Sequence, residues 1–290
     1  MSDIIGVVLG EYLSKQEQLT SLLTTYGGEA AIFQQICPSD TDDLWAAQQF
    51  PRIIYDVDKS GDDERKISGM LYMDIICSES SASPESIAKV LKALIDGYFF
   101  VVDGMPFAAK WERSDGFKTE PNHKIFGLTV TFSLLAFPKQ NTAEPDTVAL
   151  MNTWAGELFP NAIILNVSET ASVFKPTDEA PAIYWSFRGL KDSPIPSVFH
   201  CTWIQNNLTM HVMAPSETVR NAIVTQAMQE LATKTRVLFP DKSQFIIHSV
   251  AGNMSADPIK TGQLTVSGSY GLLRQYPASP AFNNANITQK

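Results

Sequence analysis

The chain has 290 residues, of which 44% are hydrophobic and 18% are charged, a composition typical of two ordinary folded domains with buried cores. It has no run of about 18 apolar residues, which argues against a membrane-spanning helix. The net charge of −9 is concentrated in residues 1–140, whose 20 acidic and 12 basic side chains argue against a basic surface that binds a nucleic-acid groove.

The N-terminal residues predict helix followed by strand. Apolar side chains recur at helical spacing over residues 3–25, and the polar stretch 15–18 predicts either a kink or two shorter helices. Gly27 and Gly28 are expected to end this helix, and the apolar run 30–33 is typical of a strand. The first residues lack a basic leader and a cleavage site, so we expect no secretion signal. The three cysteines lack metal-ligand spacing and indicate reduced thiols in the cytoplasm.

Residues 51–97 form the pattern around which the rest of the chain is organised. Two apolar strands, 51–55 and 70–77, precede a helix that Ser83 is expected to cap and Pro84 to begin. Gly97 is expected to end this helix. One stripe of the helix carries its apolar residues, Ile87, Val90, Leu91, Leu94 and Ile95.

The segment between those two strands has the spacing of the first half of a calcium loop. Its twelfth position is Ile67 rather than a chelating Glu, and its flanks predict strands where a calcium hand needs helices. We therefore interpret it as an acidic hairpin tip that turns at Gly61. Seven of its charged residues are the candidate interface: Asp56, Asp58, Asp62, Asp63, Glu64, Arg65 and Lys66.

The order of elements then recurs, which predicts the domain organisation. After strands at 98–102, 107–111 and 125–132, separated by a turn and by a polar loop at 113–124, the proline-bounded stretch 138–145 predicts a domain boundary. The second series consists of a helix at 146–158, strands at 161–165, 181–185 and 198–204, a helix with Val219, Ile223, Ala227 and Leu231 on one face, and strands at 245–250 and 263–267.

This recurrence predicts an α+β fold of two tandem repeats, each a mainly antiparallel sheet with helices packed on one face. The domains are expected at 1–140 and 145–277, and residues 278–290 are expected to be a flexible tail.

The residues that carry chemistry form no recognisable site. His123, His200, His211 and His248 lack metal-ligand spacing, and the neighbours His200 and Cys201 would point to opposite faces of a strand. Phosphate-binding, dinucleotide-binding and nucleophile-elbow motifs are also missing from the sequence. We therefore expect no catalytic, cofactor-binding or metal residues, and a protein that acts through its surfaces rather than as an enzyme.

In this order, the elements resemble the tail-terminator (tail-completion) proteins of tailed bacteriophages. The resemblance covers about residues 10–137, and residues 146–275 repeat its order in a more diverged form. It rests on the order of a leading helix, a short Ile-Phe strand and four motifs: Pro-x-Ile-x-Tyr at 51–55, Leu-x-x-Leu-Ile-x-Gly at 91–97, Trp-Glu-Arg at 111–113 and Leu-Thr-Val-Thr-Phe at 128–132.

The resemblance implies a structural virion protein of the tail or neck, assembled in the host cytoplasm. Such proteins form a closed ring, usually of six subunits, which caps the head-proximal end of the tail tube and presents a surface to the head. The implied partners are further copies of the chain, the tail tube protein and the head-completion or neck connector protein, with a sheath as a further candidate. Genomic DNA would pass without sequence-specific binding, and no membrane partner is implied.

Family members usually have one such domain, so two repeats leave open a ring of six chains and a pseudo-sixfold ring of three. The acidic first repeat is expected to face the lumen or a charged tube partner, and the nearly neutral second repeat the neck or other subunits. Two alternatives remain. One is another neck, baseplate or sheath-associated phage protein on the same fold, and the other is a duplicated α+β ligand-binding module or enzyme.

Overall fold

The computed structural model describes residues 2–46, 48–58, 67–79, 81–118, 124–140, 144–198 and 200–274. The fold is mixed α/β, with about 43% strand and about 22% helix. The helices of this part are α1 (Ser2–Leu13), α2 (Glu17–Thr20), α3 (Pro84–Ile95), α4 (Thr147–Leu158) and α5 (Glu217–Lys234). Its strands are β1 (Thr25–Tyr26), β2 (Glu29–Ala30), β3 (Ile32–Gln34), β4 (Arg52–Asp58), β5 (Ile67–Ser78), β6 (Phe99–Val102), β7 (Met105–Lys118), β8 (Ile125–Ala136), β9 (Ile163–Ile164), β10 (Val173–Phe174), β11 (Ala182–Asp192), β12 (Cys201–Met213), β13 (Arg236–Leu238), β14 (Gln244–Gly252) and β15 (Leu264–Leu273).

Helix α3 forms where the sequence predicts it. The Ser83 hydroxyl accepts a hydrogen bond from the Glu85 N–H and caps the first turn, which Pro84 begins without losing a backbone bond. The predicted stripe is correct at Ile87, Leu91, Leu94 and Ile95, all of which are buried in the core. The chain leaves the helix at Gly97, which has a φ of +77°.

The N-terminal helical region is divided in two, and the glycine pair that follows it forms a turn. The polar stretch does split the helix, because α1 ends at Leu13 and α2 begins at Glu17. The prediction that Gly27 and Gly28 end a helix is wrong, since they form the two-residue turn between β1 and β2. Their φ values of 60° and 90° suit such a turn, which requires positive φ at its central residues.

The first large sheet has the strand order β10-β6-β7-β8-β5-β4-β3. Strand β3 lies parallel to β4, and the other neighbours are antiparallel. Alternate residues of β4 (Ile53, Tyr55 and Val57) face one core together with side chains of α1 and α3. Both helices therefore cover the same face of this sheet, because period-two alternation places these strand residues on one side.

The second large sheet, in the order β13-β14-β15-β12-β11-β9, has the same connectivity. Strand β9 lies parallel to β11, and the remaining neighbours are antiparallel. Ile183 and Trp185 of β11 pack in one core with side chains of α4 and α5. The prediction of mainly antiparallel sheets with helices on one face is confirmed for both sheets.

Two features of the strands differ from the predictions. The polar loop expected at 113–124 is wrong over its first half, because β7 continues to Lys118 and pairs with β8. Residues 112–116 are exposed strand, so their polarity reflects solvent contact rather than a turn. Strand β10 was not predicted, and although it belongs to the second half of the chain it joins the first sheet beside β6.

A third apolar cluster joins the two halves on the faces that the helices leave uncovered. Phe99, Ala108 and Leu135 of the first sheet belong to it with Ala182, Tyr184 and Met213 of the second. In β11 these positions alternate with Ile183 and Trp185, which face the helices. The two sheets therefore pack against each other through their helix-free faces.

Candidate assembly surfaces

The predicted acidic hairpin is described only in part. Strands β4 and β5 are consecutive and antiparallel, as expected, with Asp58 opposite Met70. Of the seven candidate residues, Asp56 and Asp58 are described, and both are exposed on the helix-free face of β4. Asp62, Asp63, Glu64, Arg65 and Lys66 lie outside the described residues.

The helix-free face of this hairpin carries a small acidic surface. Asp56 accepts a hydrogen bond of 2.9 Å from the Gln35 Nε2 atom, and the Asp74 carboxylate on β5 accepts one of 2.6 Å from Thr129. Asp74 lies opposite Ile54, so it shares the helix-free face with Asp56 and Asp58. Three carboxylates on one face favour a basic or strongly hydrated partner.

The chemistry-bearing side chains of the described residues do not assemble a metal site. These ranges contain no group of three or more His, Cys, Asp or Glu residues placed to hold an ion. The segment with partial calcium-loop spacing is flanked by β4 and β5, in agreement with the predicted strands, whereas a calcium hand places its loop between helices.

The second sheet contains a hydrogen-bonded serine and histidine chain that sequence reasoning missed. The His248 Nε2 atom lies 2.6 Å from the Ser269 hydroxyl, which lies 2.7 Å from the Ser193 hydroxyl. Ser269 is fully buried, so its hydroxyl is closed to a substrate. These hydrogen bonds therefore fix the end of β11 against β14 and β15. No sequence spacing predicts it, because the three residues come from different strands or loops.

Two ion pairs connect the two halves of the chain. The Lys110 ammonium on β7 pairs with the Asp257 carboxylate, and the Lys260 Nζ atom lies 3.1 Å from the Glu112 carboxylate. Asp257 and Lys260 lie in the connection between β14 and β15, which therefore reaches across to the first sheet. Sequence reasoning missed these pairs, since their partners are about 150 residues apart.

Hydrogen bonds favour the ionised form of both carboxyl groups at this junction. The Ser133 hydroxyl donates to Glu112 at 2.6 Å, and this bond, together with Lys260, holds the pKa of Glu112 below its ordinary value despite partial burial. Burial raises the pKa of Asp257, but bonds from Lys110 and from the Lys260 and Ile259 N–H groups outweigh it, so that pKa is also lowered.

Strand β10 extends the junction through aromatic contacts. The Phe174 ring stacks on Phe99 of β6 at 5.1 Å between centroids, and Phe99 contacts Phe137 at 5.4 Å. Phe137 in turn meets Tyr184 of β11 edge to face at 5.1 Å. The connection between β9 and β11 therefore covers the outer strand of the first sheet with both backbone bonds and aromatic rings.

The opposite ends of the two sheets, at β3 and β13, carry exposed apolar side chains. Ile36, two residues after β3, is 82% exposed, and Leu44, in the connection from β3 to β4, is 57% exposed. Leu238 on β13 is 55% exposed. It lines a cavity of about 570 Å³ together with Leu150 and Phe239. The β3 end also carries the acidic side chains Asp40, Asp42 and Asp43. The β13 end carries charges of both signs, with Lys234, Arg236 and Lys242 near Glu144, Asp146, Glu157 and Asp241.

Comparison with known proteins gives no match to any protein-family model and none to any curated protein. Within the described ranges, no helix has both the length and the apolar character needed to cross a membrane.

Proposed function

We propose that this chain is a structural protein of a bacteriophage tail, a tail terminator with a duplicated domain. In this proposal it forms a ring on the head-proximal end of the tail tube, ends tube polymerisation and provides the surface that joins the head or neck. It acts in the virion by binding proteins and catalyses no reaction. The proposal begins from the order of the sequence motifs, which resembles the order in tail terminators.

The observation that carries the proposal is the common connectivity of the two sheets. In each half a short strand lies parallel to the next, a long antiparallel hairpin follows, a helix crosses over, and three antiparallel strands return beside the hairpin. Helices cover one face in both halves. A chance match of strand order, direction and helix placement is far less economical than one duplicated unit, with repeats at 1–140 and 145–277.

The arrangement of the repeats supports closed assembly. Inside the chain the second repeat covers one end of the first, at the junction of β10 with β6, while the ends at β3 and β13 carry exposed apolar side chains. Two unlike ends lead to head-to-tail contacts, which close into a ring when the rotation permits. A ring uses up both ends and presents two different faces. Only one of those faces needs to match the tail tube, so growth of the tube stops.

The charge of the first repeat supports a place near the lumen or against a charged tube partner. Asp56, Asp58 and Asp74 share a helix-free face of a half whose net charge is −8. A wall of this sign repels the phosphates of passing DNA, which allows the genome to move without adhering.

Mass measurement and imaging of the purified full-length chain test the proposal. We expect light scattering after size exclusion to give a multiple of the 32.0 kDa chain mass, and negative-stain images to show rings with a central opening. Rings added to polymerising tube protein should shorten the tubes and sit at one end. A stable monomer across the concentration range would contradict the proposal, and rings that leave tube length unchanged would place the protein at another station of the virion.

A further inference from the structure

We propose that neighbouring copies of the chain bind head to tail, with the connection between β3 and β4 of one copy packed on the β13 end of the next. This inference rests on the proposed ring and names the two surfaces that close it. The partner is a second copy of the same chain.

The contact has a precedent inside the chain. The connection from β9 to β11 carries β10, which pairs with the outer strand β6 of the other sheet and stacks Phe174 on Phe99. One half therefore already covers the end of the other half's sheet with this connection.

The free ends of the two sheets, at β3 and β13, carry a strand connection and an outer strand that correspond to these two surfaces. In the common connectivity β3 corresponds to β9, β4 to β11, and β13 to β6. Leu44 and Phe174 each precede the proline before the following strand, Pro51 and Pro181, by seven residues. Phe174 is covered by Phe99, whereas Leu44 is 57% exposed. Inside the chain, the β6 end of the first half packs on the β9–β11 connection of the second half. If the β13 end of a second copy packed on the β3–β4 connection in the corresponding position, it would cover Leu44.

The β13 end fits such an occupant. Its Leu238 is 55% exposed beside the cavity of about 570 Å³, which has room for an aliphatic side chain. Arg236 is exposed on the same strand, and Asp43 is exposed beside Leu44. The apolar side chains therefore match across the proposed contact, and Arg236 offers a partner for Asp43 beside the acidic side chains that also line the cavity.

Hydrogen bonds and aromatic contacts already hold the β3–β4 connection in one conformation, so binding to a second copy would order few further residues. The Leu44 carbonyl accepts a hydrogen bond of 2.8 Å from the Gly27 N–H, and its own N–H donates to Asp42 at 3.0 Å. Trp45 packs between Tyr26 and Phe33 at 5.0 and 5.7 Å. Because the Leu44 backbone is already bonded, the contact uses side chains and differs in this respect from β10. A fixed surface also lowers the entropy cost of association.

Two single variants test the head-to-tail arrangement. Leu44→Asp disables the connection surface and leaves β13 intact, and Leu238→Asp does the opposite. We expect each variant alone to lose the ring and elute as a monomer. Mixed in equal amounts, they should give dimers and nothing larger, because one intact surface of each kind remains and each dimer ends in two disabled surfaces. Native mass spectrometry or light scattering reads this directly.

Leu190→Asp is the matched control, since Leu190 is 52% exposed on β11 and lies on neither surface. It should form rings of wild-type mass, and circular dichroism should show that all three variants are folded. The inference would be overturned if either test variant formed rings of wild-type size, or if the mixture stayed monomeric. Neither result would contradict the proposal that the wild-type chain forms a ring. A wild-type chain that forms no ring would instead overturn the proposed function.

Discussion

At the scale of single residues, Gly262 is a position where a side chain would be both strained and crowded. It has a φ of +80°, and a Cβ atom there would lie 2.6 Å from the Thr209 Cγ2 atom and 2.8 Å from the His211 Nε2 atom. Thr209 and His211 lie on the helix-free face of β12, and the His211 Nδ1 atom is 2.8 Å from the Pro258 carbonyl oxygen. The absence of a side chain therefore lets the β14–β15 connection lie close to the second sheet.

Gly262→Ala should destabilise the protein through both backbone strain and overpacking. We expect a loss of about 2–4 kcal/mol in the free energy of unfolding, measured by urea denaturation. Gly104→Ala is the control, because Gly104 also has a positive φ of +77° but nothing lies within 4 Å of its Cβ position. The control should lose only about 1–2 kcal/mol in the free energy of unfolding, because its positive φ alone is unfavourable for alanine. Equal losses in the two variants would contradict the close packing at Gly262.

Residue types predicted local structure well where the cause was local. Ser83, Pro84 and Gly97 give α3 its cap, its first turn and its end, as their chemistry requires. Gly27 and Gly28 are the exception, because positive φ suits a helix end and a hairpin turn equally well. The pairing of β1 with β2 decides between these, and that pairing was not visible in the sequence.

At the scale of elements, the β4–β5 hairpin is the candidate contact with the tube. Its strands were predictable because apolar residues alternate along β4, with Ile53, Tyr55 and Val57 buried between exposed or half-buried neighbours. The extent of β7 was not predictable, because an exposed strand such as residues 112–116 has the composition of a loop.

Charge reversal at the hairpin tests its part in assembly. We expect Asp56→Lys combined with Asp58→Lys to reduce head joining or change tail length, since both carboxylates lie on the proposed contact face. Reversal of Asp62, Asp63 and Glu64 should act in the same direction. Because the described pair is exposed, the free energy of unfolding should change by about 0.5 kcal/mol or less.

Electron microscopy of phage particles that carry the variants gives tail length and the fraction of tails joined to heads. Glu169→Lys with Glu179→Lys is the matched control, because it reverses two exposed charges in the second half. Tails of normal length joined to heads in the hairpin variants would show that the hairpin is not an assembly surface.

At the scale of the whole molecule, the two halves are joined by an apolar cluster, by β10 and by ion pairs to the β14–β15 connection. Asp257 takes part twice, because it pairs with Lys110 and also accepts hydrogen bonds from the Ile259 and Lys260 N–H groups at 2.9 and 2.8 Å. The junction should therefore depend on the charge of this carboxylate.

The folded state lowers the pKa of Asp257, so folding favours the ionised carboxylate. Its contribution to stability is present above the ordinary aspartate pKa of about 3.9 and is lost as the pH falls through the lower, folded value. We expect Asp257→Asn to reduce the free energy of unfolding at pH 7 by about 1–2 kcal/mol. The difference from the wild type should shrink as the pH falls below the ordinary aspartate pKa of about 3.9, because protonation then removes the contribution of the carboxylate.

Denaturant titrations at several pH values measure this effect. Asp115→Asn is the control, because Asp115 pairs with Arg113 where both side chains are more than half exposed, at 61% and 68%. Such a pair contributes about 0–1 kcal/mol, so the control should change little. A loss in Asp257→Asn that is the same at pH 3 and pH 7 would show that the carboxylate charge does not fasten the junction.

The sequence by itself determined the elements that depend on local chemistry and on periodicity. These include the capped helix α3, the strands β4 and β5, and the recurrence of one order of helices and strands along the chain. Only the tertiary structure decided how the two series meet: that β10 joins the first sheet, that the helix-free faces form a third apolar cluster, and that Lys110 pairs with Asp257. Hydrophobic periodicity shows which side of an element is buried but not what covers it, and contacts between residues far apart in the chain leave no local pattern.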